Sequence, residues 1–155
     1  MLFRSLGGEK FRGLVAEHRG DADVLTQSCP GLVEQIESGD LDGPATRALV
    51  ERYTGPLVAA GADVLVLGCT HYPLLKDAIA AAAAEIAGRD LPIVDGAAAT
   101  ADAVTTLLRE RALGAMSTSG PPRLDLLVTD LPASFAEVAA RFLGGEPPSV
   151  RQIDL

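Results

Sequence analysis

An α/β fold, with a doubly wound and mostly parallel sheet flanked by helices, is what this sequence predicts, and three observations carry it. Short apolar runs rich in Val, Ile and Leu alternate with longer stretches of helical period along most of the chain. Strand and helix keep exchanging places, an order that sets strands parallel because each return needs a crossover. The two cysteines, Cys29 and Cys69, both follow strand-like runs, and sites in such sheets lie at the carboxyl ends of strands.

Taken in order, Phe11, Leu14, Val15 and His18 mark a first helix that ends near Gly20. Asp23-Val24-Leu25-Thr26-Gln27 then reads as a short strand leading into Ser28-Cys29-Pro30. Leu32, Val33 and Ile36 set a brief helix interrupted at Gly39, and a longer one runs from about Pro44 to Ala60 through Ala48, Leu49, Tyr53 and Leu57. Asp63 to Leu67 is the next strand. Leu74, Leu75, Ala78, Ile79 and Ala82 repeat with helical spacing from Pro73 to Gly88, with Pro73 suited to a first helical position.

Leu91 to Asp95 follows as another short strand, and Ala98 to Leu113 as an alanine-rich helix closed by Gly114. Met116 to Arg123, rich in Ser, Thr, Gly and Pro, reads as a loop. Leu124 to Thr129 is a strand, Pro132 to Leu143 a helix, and Val150 to Leu155 a terminal extended segment. No internal repeat or low-complexity block is visible.

Composition narrows the function. With 155 residues, 48% of them hydrophobic, the chain can bury a core. A net charge of −8, with Lys and Arg scattered rather than gathered into a stripe, argues against a nucleic-acid surface and for small-molecule chemistry. Neither a secreted-protein disulfide spacing nor a metal-ligand cluster surrounds the two cysteines, so a reducing cytoplasm is the simpler assumption. The first residues lack the apolar core of a signal peptide, and no apolar run is long enough to span a membrane. Neither a G-x-G-x-x-G nor a phosphate-loop lysine follows any predicted strand, and no cofactor is expected.

The most informative stretch is Gly68-Cys69-Thr70-His71-Tyr72-Pro73, directly behind Val64-Leu65-Val66-Leu67. It sets a thiol, a hydroxyl and an imidazole where a strand ends and a helix is expected to begin. A thiol beside a helix N-terminus or a protonated His becomes a better thiolate, and the orphan amides of such a helix start favour an anion. The plainer alternative, an inert buried cysteine beside an ordinary loop histidine, does not account for the combination. His18, near a helix end, reads as a capping or solvent residue, Cys29 as structural, and Asp95 and Asp130 as loop-forming.

Leu65 to Leu75 resembles the second cysteine signature of bacterial glutamate racemases. Aspartate racemases often carry an acidic residue where His71 stands, so this His points to the glutamate branch. The likeness extends through Ser28-Cys29-Pro30, Val94-Asp95, Val128-Thr129-Asp130 and Phe142-Leu143-Gly144, and it is to that family's C-terminal half. The family's opening Asp-Ser-Gly segment and first-cysteine motif find no counterpart. The resemblance implies that residues 1–94 form the second racemase domain, short of its first strand, and that residues 95–155 return to complete the first.

By the same resemblance the chain is a cofactor-independent glutamate racemase that supplies D-glutamate for peptidoglycan, held here as a truncated chain with one catalytic cysteine. Racemisation needs a base on one face of the α-carbon and an acid on the other, which two thiols suit. Cys69 would be one of them, His71 would adjust its protonation, Thr70 would hydrogen-bond the glutamate, and Glu37 would support Cys69 and His71. The spacing at Glu37 is one residue longer than in the family, and Glu34 competes for the role. Glutamate is the expected partner, with a homodimer as one assembly and neither nucleic acid nor membrane. Two other readings are a non-catalytic binding or regulatory remnant of the fold and a related amino-acid or hydantoin racemase.

Overall fold

The computed structural model describes residues 8–113, 124–130, 135–146 and 149–154. They fall into two compact units, Met1–Ala97 and Ala98–Leu155.

In the first unit, α1 covers Glu9–His18, α2 Leu32–Ser38 and α3 Pro44–Ala59. β1 is Leu65–Leu67, a 3-10 turn spans Tyr72–Leu75, α4 is Lys76–Ala87 and β2 is Ile93–Asp95. β1 and β2 pair in parallel, Leu65 opposite Ile93 and Leu67 opposite Asp95, with α4 as the crossover. The strand alternation does its ordinary work: Leu65 and Leu67 turn inward while Val66 is 73% exposed. One core gathers Leu32 and Ile36 from α2, Val50 from α3, Leu65 and Leu67 from β1, Leu75, Ile79 and Ala83 from the turn and α4, and Leu91.

Two junctions fix α2 and α3, which frame the site. Asp40 accepts the Gly43 amide at 2.6 Å and the Gln35 side-chain amide at 2.8 Å, and its carbonyl accepts the fully buried Thr46 hydroxyl at 2.7 Å. A Cβ at Gly43 would sit 2.4 Å from the Asp40 carboxylate, so only glycine allows the approach. At the other end of α3, Ala62 N–H bonds the Leu57 carbonyl and Gly61 N–H the Val58 carbonyl, with Gly61 at φ +93. That is the Schellman arrangement, and it satisfies orphan carbonyls while reversing the chain into β1.

In the second unit, α5 runs Gly96–Glu110 out of the first, β3 is Leu126–Val128, α6 is Phe135–Leu143 and β4 is Val150–Gln152. β3 and β4 pair in parallel, Leu126 opposite Val150, with α6 between them in sequence. Ser149 donates to Asp125 at 3.0 Å and Gln152 to the Thr129 carbonyl at 3.1 Å, side-chain links that flank the short ladder. None of this unit's described residues is buried.

Alternating strand and helix with parallel pairing is the α/β order that the sequence predicts. Residues 23–27 differ: expected as a strand, they join no ladder. β-propensity alone makes no strand, because the backbone groups need a neighbour, and among the described residues none pairs with them. α5 ends earlier than expected, with the chain turning at Ala112 in the left-handed region (φ 51). Gly114, the Met116 to Arg123 loop and the start of the Pro132 helix lie outside the described residues.

Candidate active site

Leu67 ends β1, and Gly68 to His71 turn the chain away from the sheet into the 3-10 turn. The corner is closed by its own backbone: Tyr72 N–H donates to the Cys69 carbonyl at 3.3 Å and Leu74 N–H to the His71 carbonyl at 3.1 Å. Pro73 sits in the first turn, where its missing amide is harmless. The expected α-helix start is displaced. Four residues of 3-10 turn come first and α4 begins only at Lys76, so Cys69 does not stand at an α-helix N-terminus. His71 occupies the cap position of the short turn but makes no side-chain capping bond; its ring is engaged elsewhere.

That engagement brings distant residues together. His71 Nε2 lies 3.2 Å from Glu37 Oε1, linking the corner after β1 to the last turn of α2. Thr70 Oγ1 lies 3.4 Å from Nδ1 of the same ring. With Nε2 protonated, His71 donates to the carboxylate and Nδ1 is left to accept from Thr70. The His71 side chain is 25% exposed and that of Glu37 50%, so solvent reaches the pair. Of the two glutamates on α2 that the sequence offers, Glu37 is the one that reaches His71.

Cys69 is half-buried and free, and so is Cys29; no disulfide joins them. The Cys29 S–H reaches back to the Gln27 carbonyl at 3.6 Å, and Cys29 and Tyr72 both pack against the core. Burial pushes the Cys29 thiol above its ordinary range, the nearby Tyr72 phenol opposes that shift, and Cys69 adds to it. Burial also pushes the Tyr72 phenol well above its ordinary range, helped by Cys29 and Cys69. Both groups therefore stay protonated near neutral pH and offer no base. Nothing in sequence spacing announces the burial of Cys29, which lies far from the motif.

Asp95, read from sequence as loop-forming, ends β2 with both oxygens in use. One accepts the Ala97 amide at 3.1 Å at the head of α5, and the other meets Lys76 Nζ at 3.1 Å. Nothing in the sequence marks Lys76 out. His18 lies in the last turn of α1, 3.9 Å from Glu17, away from this corner's contacts. Among the described residues no group of three or more His, Cys, Asp or Glu side chains could hold a metal ion, and no helix is long and apolar enough to cross a membrane.

The arrangement provides a thiol that can give or take a proton, an imidazole tied to a carboxylate, and a hydroxyl beside them. The profile of the Asp/Glu/Hydantoin racemase family matches residues 10–104. The chain is 44% identical over 151 residues to the glutamate racemase of Methylococcus capsulatus, covering 96% of this chain and 52% of that protein. It is 42% identical over 134 residues to the glutamate racemase of Herpetosiphon aurantiacus, covering 86% and 51%. Among solved structures it is similar to glutamate racemase from Francisella tularensis in complex with D-glutamate, with TM-score 0.77 and 25% identity over 93% of this chain and 52% of that one. A Bacillus anthracis glutamate racemase isoform matches with TM-score 0.74 and 29% identity. The chain thus spans about half the length of the curated relatives it matches.

Proposed function

The chain belongs to the Asp/Glu/Hydantoin racemase family, and from that premise we propose that it carries the Cys69 half of a cofactor-independent glutamate racemase, interconverting L- and D-glutamate. The observation that carries the reading is the Glu37–His71 contact beside Cys69, at the end of β1. Relatives named as glutamate racemases support glutamate as the substrate.

In this reading the Cys69 thiolate takes the α-proton from one enantiomer, and the electron pair left on the α-carbon delocalises into the substrate carboxylate. An acid on the opposite face returns a proton and inverts the centre; in the reverse direction the Cys69 thiol is the donor. His71, tied to Glu37 and Thr70, tunes the protonation of Cys69, and Thr70 and His71 hydrogen-bond the substrate. Residues 1–94 act as the second racemase domain, and residues 95–155 belong with the first. A homodimer is one assembly that would supply the opposing acid. D-glutamate made this way serves peptidoglycan synthesis in the cytoplasm, where the two free cysteines are at home.

The test is to incubate the purified chain with L- and with D-glutamate in deuterated buffer, following the α-proton by NMR and the sign of rotation of the product. Exchange at the α-carbon that disappears in Cys69→Ala, by roughly 10²–10⁴-fold or more, is the expected result. No exchange with either enantiomer, at any protein concentration, overturns the reading for this chain.

A further inference from the structure

Glu37 reaches His71 from a weak position. It stands in the last turn of α2, a helix of 7 residues, and helices that short fray at their ends unless something outside them holds the final turn. Its carboxylate is half exposed, and an ion pair open to water orients its members poorly by itself. The contact at 3.2 Å therefore calls for another source of order at the end of α2.

Asp40 supplies one. One carboxylate oxygen accepts the Gln35 side-chain amide at 2.8 Å, reaching back over the last turn of α2, and the other accepts the Gly43 amide at 2.6 Å, just ahead of α3. The Asp40 carbonyl takes the Thr46 hydroxyl at 2.7 Å, and Thr46 lies fully buried in the first turn of α3. Gln35 and Asp40 bracket Glu37 in sequence, so the bond between their side chains spans the turn that carries it. On the core side, Ile36 is 1% exposed and its carbonyl accepts the Gly39 amide at 3.0 Å, with Gly39 at φ +90. The turn is thus held from within by Ile36 and from without by Asp40.

We propose that Asp40 is a positioning residue for Glu37, clamping the last turn of α2 to the first turn of α3 so that the Glu37 carboxylate stays within reach of His71 beside Cys69. A long, exposed glutamate side chain keeps such a contact only while its backbone is fixed, because freedom of the turn adds to freedom of the rotamers. Gly43 and Thr46 act through Asp40: α3, packed into the core by Val50, is the rigid side of the clamp. The proposal rests on the racemase reading only for the use to which the corner is put.

The test reads His71 and needs no substrate. In ¹H–¹⁵N spectra of the imidazole rings of the purified chain, with His18→Gln assigning the two histidines, Glu37→Gln is expected to shift the His71 signals, which measures the contact. Combined with Asp40→Ala, the same change at Glu37 is expected to lose most of that shift. Asp40→Asn is expected to keep it, since the amide oxygen still accepts from Gly43 and the amide nitrogen meets a turned-over Gln35. Val50→Ala lowers stability from the same helix without touching the clamp, and is expected to keep the shift too.

A Glu37→Gln shift as large in Asp40→Ala as in the parent overturns the proposal, even where Asp40→Ala melts at lower temperature, because that is the mark of a purely structural residue. A shift lost equally in Val50→Ala overturns it as well, since any loosening of the fold would then suffice. Should Asp40→Ala fail to fold, Gln35→Ala, which cuts only the bond over the last turn, is judged by the same two outcomes. Loss of the racemase reading in the exchange experiment leaves this comparison standing, and failure here leaves the exchange experiment untouched.

Discussion

The two units of this chain are built of the same parts and hold themselves together differently. Each has a parallel strand pair with a helix between the strands in sequence. In the first, Ile36, Leu75 and Val50 are at most 2% exposed, and Ala83 is fully enclosed. In the second, no described side chain is buried, and Leu107, Leu127 and Phe142 remain 43%, 52% and 42% exposed. The difference teaches that backbone pattern and packing are separable. A βαβ order can be written into a short segment, but the apolar burial that supplies most of the stabilising free energy needs several layers to converge on one place. α2, α3, α4 and the strand pair do so around Leu75; the described elements of the second unit do not.

Substitutions at matched positions sharpen that contrast. Leu75→Ala in the first core should cost about 2–5 kcal/mol, read as a lower urea midpoint, because a fully buried side chain leaves a cavity behind. A loss below about 1 kcal/mol there would break the comparison. Thr46→Val keeps the shape of a fully buried residue and removes the hydroxyl that serves the Asp40 carbonyl, and about 1–3 kcal/mol should be lost in the same titration. Leu107→Ala, on an exposed face of α5, should stay within about 0.5 kcal/mol of the parent. Amide exchange should divide the same way, slow in α3 and α4 and fast in α5 and α6.

A smaller effect concerns pH. Burial raises the Cys29 thiol in the folded chain, so the native state holds its proton more tightly than the unfolded chain does. The stability tied to that proton is complete below the unfolded thiol's value of about 8.5 and is lost as pH rises through the higher folded value. Thermal unfolding temperatures should therefore fall on the alkaline side, and Cys29→Ala should flatten that fall. An identical alkaline slope in the variant would show that Cys29 is not its source.

Much of this was legible in the residues. The period of α3, the strand at Leu65, the break at Gly88 and the chemistry of Cys69-Thr70-His71 all follow from local pattern and turn preference, which are carried by neighbours in sequence. Glu37 could be picked out only through resemblance, with Glu34 as its rival, because the contact that distinguishes them is a long-range one. The raised thiol of Cys29 is not legible at all: burial decides it, and a Cys-Pro before a helix looks the same whether the thiol is enclosed or open. Residues 23–27 mislead for a related reason, since their composition is that of a strand while a strand is completed by its neighbour. The 3-10 turn was hidden too, because Pro73 opens a 3-10 turn as readily as an α-helix.

The outward side of the first strand pair has a colloidal consequence. Val66 lies beside Val94 in register, and Val64 stands two residues before Val66 on the same side, exposed by 73%, 50% and 44%. The net charge of −8 opposes contact between copies at such a patch, a repulsion that salt screens and that vanishes near pH 4.6. Ammonium sulfate and mildly acidic buffers should therefore drive this chain out of solution early, and Val66→Lys should raise the salt concentration at which it precipitates.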